Sequence, residues 1–168
     1  MTKTAVQLDD KYTQEGGRLY LTSMQALVRL PLVQHRMDAA AGLNTAGFIS
    51  GYRGSPIGTY DAALWSAGKL LKQANIEFLP GVNEELAATA IRGSQQMEWF
   101  AQPKYDGVFA IWYGKGLGVD RATEALKMAN FEGAAKHGGV LVGVGGGHGA
   151  KSSATAHPSE AAPGGAMV

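Results

Sequence analysis

Between residues 21 and 42 the apolar side chains Leu27, Leu30, Val33 and Met37 recur at spacings of three, three and four, which draws one face of a helix. Pro31 falls inside that stretch. A proline within a helix removes one hydrogen bond and crowds the preceding turn, so the pattern predicts either a kinked helix or two short ones with Pro31 opening the second. Downstream, short apolar runs with little polar alternation stand at 46–51, 76–79, 107–113 and 139–144. They read as buried strands. Helical stretches are predicted between them at 59–74, 84–100 and 119–130, and Asn83 is placed to cap the second of these. Strands buried on both faces and separated by helices define a parallel sheet, because parallel neighbours need a crossover and the crossover helices cover the sheet. The expected fold is α/β: an open, doubly wound, mostly parallel sheet.

The pattern also divides the chain. Residues 1–18 are polar, carry Gly16-Gly17 and read as an N-terminal arm whose order depends on docking. Residues 19–150 form the α/β domain. Residues 151–168 are rich in Ala, Ser, Gly and Pro without an apolar period, which predicts a flexible or truncated tail. The fourth strand then lacks a following helix, so the domain is expected to be incomplete at its C-terminus.

Composition narrows the function classes. With 168 residues, 45% apolar and 17% charged, the chain has the make-up of about one globular domain. No apolar stretch reaches the roughly 18 residues a membrane span needs, and no apolar signal core opens the chain, so a soluble, cytoplasmic protein is expected. A formal net charge of +1 is far from the basic excess of a nucleic-acid binder. The absence of cysteine excludes a thiolate nucleophile and cysteine-held zinc or iron-sulfur clusters within these residues.

In open parallel sheets ligands bind at the carboxyl ends of the strands, which leaves four segments: 52–58, 81–85, 114–120 and 145–151. Gly145-Gly146-Gly147-His148-Gly149-Ala150 fits a dinucleotide loop after an apolar strand, but the sequence beyond it runs to Pro158 rather than into a helix that would receive a pyrophosphate. Gly114-Lys115-Gly116 lacks the flanking residues of a phosphate-binding Walker loop. The four histidines show no ligand spacing, so no metal site is expected. Arg53, Lys115, Arg121 and Lys151 are possible anion contacts. The run Asn83-Glu84-Glu85-Leu86-Ala87-Ala88-Thr89-Ala90-Ile91-Arg92-Gly93 has two readings. It is either an acidic first turn on a closely packed helix, or a helix whose small residues approach a cofactor while one carboxylate faces it. Adjacent helical acids point about 100° apart, so one can be buried and the other solvated.

That run, with nine residues from Glu84 to Gly93, resembles the pyrimidine-binding domain of thiamine diphosphate enzymes, where an acid opens an Ala-rich helix at that interval. Gly51-Tyr52-Arg53-Gly54-Ser55-Pro56 is similar to the Gly-Tyr-Pro-Gly-Thr-Pro loop of 2-oxoacid:ferredoxin oxidoreductases. Together with Trp112-Tyr113-Gly114-Lys115-Gly116-Leu117-Gly118-Val119-Asp120-Arg121 and Ala150-Lys151-Ser152-Ser153, the chain resembles the N-terminus of the long, fused indolepyruvate ferredoxin oxidoreductases over about residues 8–160.

The resemblance implies a pyrimidine-domain fold and an enzyme that oxidatively decarboxylates an indolepyruvate-like 2-oxoacid to an acyl-CoA, passing electrons to ferredoxin. It assigns to Glu84, or to Glu85 if the register slips by one, the carboxylate that binds N1′ of the aminopyrimidine and so helps the cofactor lose its C2 proton. It further implies cofactor contacts from Gly54, Ser55, Lys115 and Gly116, with Lys115 on the loop after the third strand. Thiamine diphosphate with magnesium would be held jointly with a domain absent here, since the Gly-Asp-Gly and Asn run for the diphosphate is missing and Asp106-Gly107 is a lone pair. Iron-sulfur clusters would lie only elsewhere in the full enzyme. The expected partners are therefore the 2-oxoacid, coenzyme A, ferredoxin and the remaining domains or a companion subunit; alone, the chain is expected to be inactive. The alternative is a non-catalytic α/β assembly module that packs on a partner subunit.

Overall fold

The computed structural model describes residues 7–53, 57 and 59–146. In chain order the elements are α1 (Asp10–Thr13), α2 (Ser23–Ala40), β1 (Thr45–Gly51), α3 (Tyr60–Ser66), α4 (Gly68–Gln73), β2 (Ile76–Phe78), α5 (Glu84–Ser94), a 3-10 turn (Met97–Trp99), β3 (Gly107–Lys115), α6 (Gly116–Glu132) and β4 (Gly139–Gly145). All four strands are parallel, in the order β2-β1-β3-β4. The protein is thus an α/β molecule of Rossmann-like arrangement. Among the described residues no helix is long and apolar enough to cross a membrane.

Alternation along the strands builds two cores. Ile49, Ile76, Ile111 and Tyr113 face Val28, Leu32, Tyr60, Leu64 and Leu71 from the helices α2 to α4. The intervening Ala110 and Trp112 face Ala87, Ala88 and Ile91 of α5 and Val119, Ala122 and Ala125 of α6. Successive strand residues point to opposite faces, so both sides of β3 are apolar and both are covered.

Several boundaries differ from those expected. α2 runs unbroken through Pro31, started by a capping box in which Thr22 Oγ1 accepts from Gln25 N–H and the Gln25 side chain accepts from Thr22 N–H. Its buried stripe is Val28, Pro31 and Leu32, whereas Leu30 and Met37 are exposed. The stripe lies round the helix from the expected one because Pro31 itself packs inward. The helix expected over 59–74 divides at Ala67, just before Gly68, a weak helix former. α5 stops at Ser94 rather than near residue 100. Beyond it the buried Gln95 donates to Val108 O at 3.1 Å and accepts from Gly139 N–H at 2.8 Å, side-chain bonds to strand backbone that compete with another helical turn.

The expected loop over 114–120 is absent: β3 extends to Lys115, and α6 begins at Gly116. The arm is docked over its described part. Arg29 donates to Lys11 O and Gln14 O, Arg36 donates to Tyr12 O, and the Tyr12 ring is buried. At the other end of the chain, β4 is an edge strand among the described residues. Its Val142 and Val144 pack under α6, while Leu141 is 47% exposed.

Candidate functional site

β1 connects to β2 on one side and lies beside β3 on the other, so the order of the sheet reverses between β1 and β3. The crevice beyond the carboxyl ends of strands at such a reversal is where ligands enter doubly wound folds. α5 packs on both β1 and β3 there. Its start is fixed by Asn83, whose extended backbone ends the loop and whose Oδ1 accepts from Leu86 N–H at 2.8 Å.

The inward stripe of α5 is Glu84, Ala87, Ala88 and Ile91. One acid of the pair therefore turns into the protein: Glu84 is 5% exposed, while Glu85 is at the surface. Around Glu84 the chain leaves only limited space. A Cβ on Gly118 would lie 2.6 Å from Glu84 Cγ and 3.0 Å from Oε1, so only glycine fits there without displacing the carboxylate. The buried Trp112 indole donates from Nε1 to Glu84 O at 3.1 Å, holding the first turn of α5 against β3. Glu84 Oε2 is buried and has no hydrogen-bond partner among the described residues. Among the described residues the nearest cation is Arg121 Nη1 at 4.0 Å, on a side chain that is 61% exposed.

A buried carboxylate oxygen with no donor is rare and costly, since the group loses water without replacement. Such an oxygen can accept an N–H or O–H, and the positive end of the α5 dipole favours negative charge at the same spot.

The other expected site residues are distributed differently. Lys115 is half-buried, ends β3 and stands at the N-cap position of α6; among the described residues it makes no hydrogen bond or ion pair. Gly116 is buried as the first residue of α6. The loop role expected for both is thereby corrected, because strand passes directly into helix. Gly54 and Ser55 lie outside the described residues, as do the end of the dinucleotide-like loop from Gly147 onward and Lys151. Arg53 is exposed. Asp106 is occupied structurally, since its Oδ2 accepts from Asn44 N–H at 2.7 Å. Among the described residues no three His, Asp or Glu side chains gather as metal ligands.

Residues that pattern alone did not single out complete the picture. Gly118 forms the wall of the Glu84 site, and its signal was the glycine spacing in Gly114-Lys115-Gly116-Leu117-Gly118. The Arg121 anion expected from sequence is Glu84's own carboxylate. On the opposite face of β3, Asp61 Oδ1 and Tyr113 OH are buried close to each other without a hydrogen bond of good geometry among the described residues. The Tyr113 ring meets Tyr60 edge-on at 5.1 Å. Burial pushes the Tyr113 phenol well above its usual pKa and the adjacent Asp61 carboxylate adds to this; burial alone does the same to Tyr60.

No family model, curated protein or solved structure matches the chain.

Proposed function

We propose that this chain is the pyrimidine-holding part of a thiamine diphosphate-dependent 2-oxoacid:ferredoxin oxidoreductase of the indolepyruvate type, with the corresponding pyrimidine-domain fold. The observation that carries the reading is Glu84: a carboxylate 5% exposed, with Oε2 unpartnered, at the first turn of an Ala-rich helix beside the sheet reversal. A lone buried acceptor fits the protonated N1′ of an aminopyrimidine, which needs an anionic partner in a water-poor site. When bound, thiamine diphosphate supplies the electron sink for decarboxylation of the 2-oxoacid.

In this reading Glu84 would accept the hydrogen bond from N1′ and so favour the tautomer whose exocyclic nitrogen can act as a base. Trp112 fixes the backbone of the first turn through its bond to Glu84 O, and Gly118 keeps the space beside the carboxylate open. Lys115 and Gly116, at the junction of β3 and α6, would line the same end of the sheet; Gly54 and Ser55 are assigned to the cofactor from the resemblance alone. The magnesium and diphosphate would be held by residues outside this chain. Iron-sulfur clusters, coenzyme A and ferredoxin likewise belong to the rest of the enzyme, whose setting we take to be cytoplasmic.

One observation favours the assembly-module reading. Val82, Leu86 and Leu117, on the segments that open α5 and α6, are 81%, 54% and 45% exposed, an apolar rim suited to a partner. Substitution at Glu84 separates the two. In the assembled enzyme, Glu84→Gln should preserve assembly and remove most turnover; near-normal turnover would overturn the catalytic reading and leave the module.

A further inference from the structure

Resting on the reading above, we propose that Arg121 is the displaceable counter-ion of Glu84, facing it across the opening that Gly118 leaves, and that it yields its place when a ligand donates to the carboxylate. Gly118 and Arg121 are three residues apart and so stack on one face of α6. Gly118 brings that face against the Glu84 side chain, with Cγ at 2.6 Å from where a methyl group would stand. Arg121 then reaches Glu84 Oε2 at 4.0 Å, the outer limit of an ion pair and beyond a hydrogen bond.

The asymmetry of the pair is the basis of the inference. Glu84 is 6% exposed at its side chain, while Arg121 is 61% exposed. A long, solvated guanidinium at this distance contributes a weak, screened attraction. A ligand N–H at hydrogen-bond distance inside the site makes a stronger, charge-assisted bond. Among the described residues no other group competes: Trp112 spends its only donor on Glu84 O, and Glu85 is exposed. Arg121 is thus a positioning residue that keeps the acid compensated until exchange occurs.

Two measurements on the full 168-residue chain test this. The first compares the Arg121 Nη resonances in the wild type and in Glu84→Gln by nuclear magnetic resonance. A shift on loss of the nearby charge is expected; unchanged resonances overturn the pairing. The second titrates 4-amino-5-hydroxymethyl-2-methylpyrimidine, the part of the cofactor that Glu84 would hold, at millimolar concentration and follows the Trp112 indole N–H resonance.

Removing a weak competitor should tighten binding by about two- to fivefold in Arg121→Gln, with Arg121→Lys, which keeps the charge, returning close to the wild-type value. Gly118→Ala should weaken binding by about tenfold or more while the fold persists. Equal or weaker binding by Arg121→Gln overturns the exchange role and leaves the proposed function standing. No perturbation of Trp112 in the wild type or any variant overturns both.

Discussion

Glu84 and Glu85 have the same chemistry and opposite surroundings, because a helix turns its successive residues about 100° apart and α5 presents Glu84, Ala87, Ala88 and Ile91 to the core. With no donor on Oε2, the folded state gains little from the charge at position 84 and carries its desolvation. Glu84→Gln should therefore leave stability within about 1 kcal/mol of the wild type, or raise it, in a urea titration; a loss of several kcal/mol would mean that the carboxylate holds the fold together. Tyr113 obeys the same logic on the other face. Its hydroxyl is buried beside the Asp61 carboxylate without a hydrogen bond of good geometry, so Tyr113→Phe should change stability by no more than about 1 kcal/mol. The raised phenol values of Tyr60 and Tyr113 also fix a pH dependence. Both rings are neutral in the fold beyond the pH at which an unfolded tyrosine ionises, so their contribution is complete below about pH 10 and is lost as pH rises above it. Alkaline melts should show this loss, and Tyr113→Phe should reduce it.

At the scale of elements, α5 and α6 are joined at their far ends by the bidentate Arg92–Glu132 pair, with Gln96 also donating to Glu132. Hydrogen bonds from Arg92, followed by its charge, hold the Glu132 carboxyl below the usual range. A lowered folded value means that the pair supports the fold above about pH 4, the ordinary carboxyl value, and ceases to do so as pH falls through the folded one. Melting temperatures at pH 7 and pH 3 should differ less in Glu132→Gln than in the wild type, and the difference should shrink in high salt. The elements show what pattern could convey. Apolar runs identified the four strands of the described residues because β1 and β3 are buried, Ile76 of β2 enters the core and Val142 and Val144 of β4 pack half-buried under α6, and Asn83 marked the start of α5 as an N-cap. What the pattern missed depended on tertiary partners. The inward stripe of α2 moved because Pro31 packs, and α5 ended early because Gln95 bonds to β3 and β4. Within the site, the acid pair and its small-residue helix were legible from spacing. The choice of Glu84 over Glu85 from the residues alone, and the place of Gly118 and Arg121 beside it, required α6 to be positioned against α5.

For the whole molecule, the sheet is unevenly covered. β1 and β3 are enclosed, whereas β4 presents Leu141 at 47% exposure on the face that α2 to α4 cover over the other strands. Among the described residues β4, Gly-Val-Leu-Val-Gly-Val-Gly, is a long, uncharged edge strand, a template for pairing with another chain. Leu141→Lys should change folding stability by no more than about 0.5 kcal/mol, as a surface substitution does, and should lower light scattering during refolding. Unchanged scattering would show that β4 is not the surface through which chains associate.

The direct passage of β3 into α6 has a consequence beyond the site itself. Lys115 ends the central strand, Gly116 begins the helix, and two residues later Gly118 touches the acid. Anything that presses on Glu84 presses on a lever with no slack between it and the middle of the sheet. Occupancy should therefore register in the slowest-exchanging backbone amides of β1 and β3, so that the most protected part of the molecule, rather than a surface loop, reports whether the acid has found its donor.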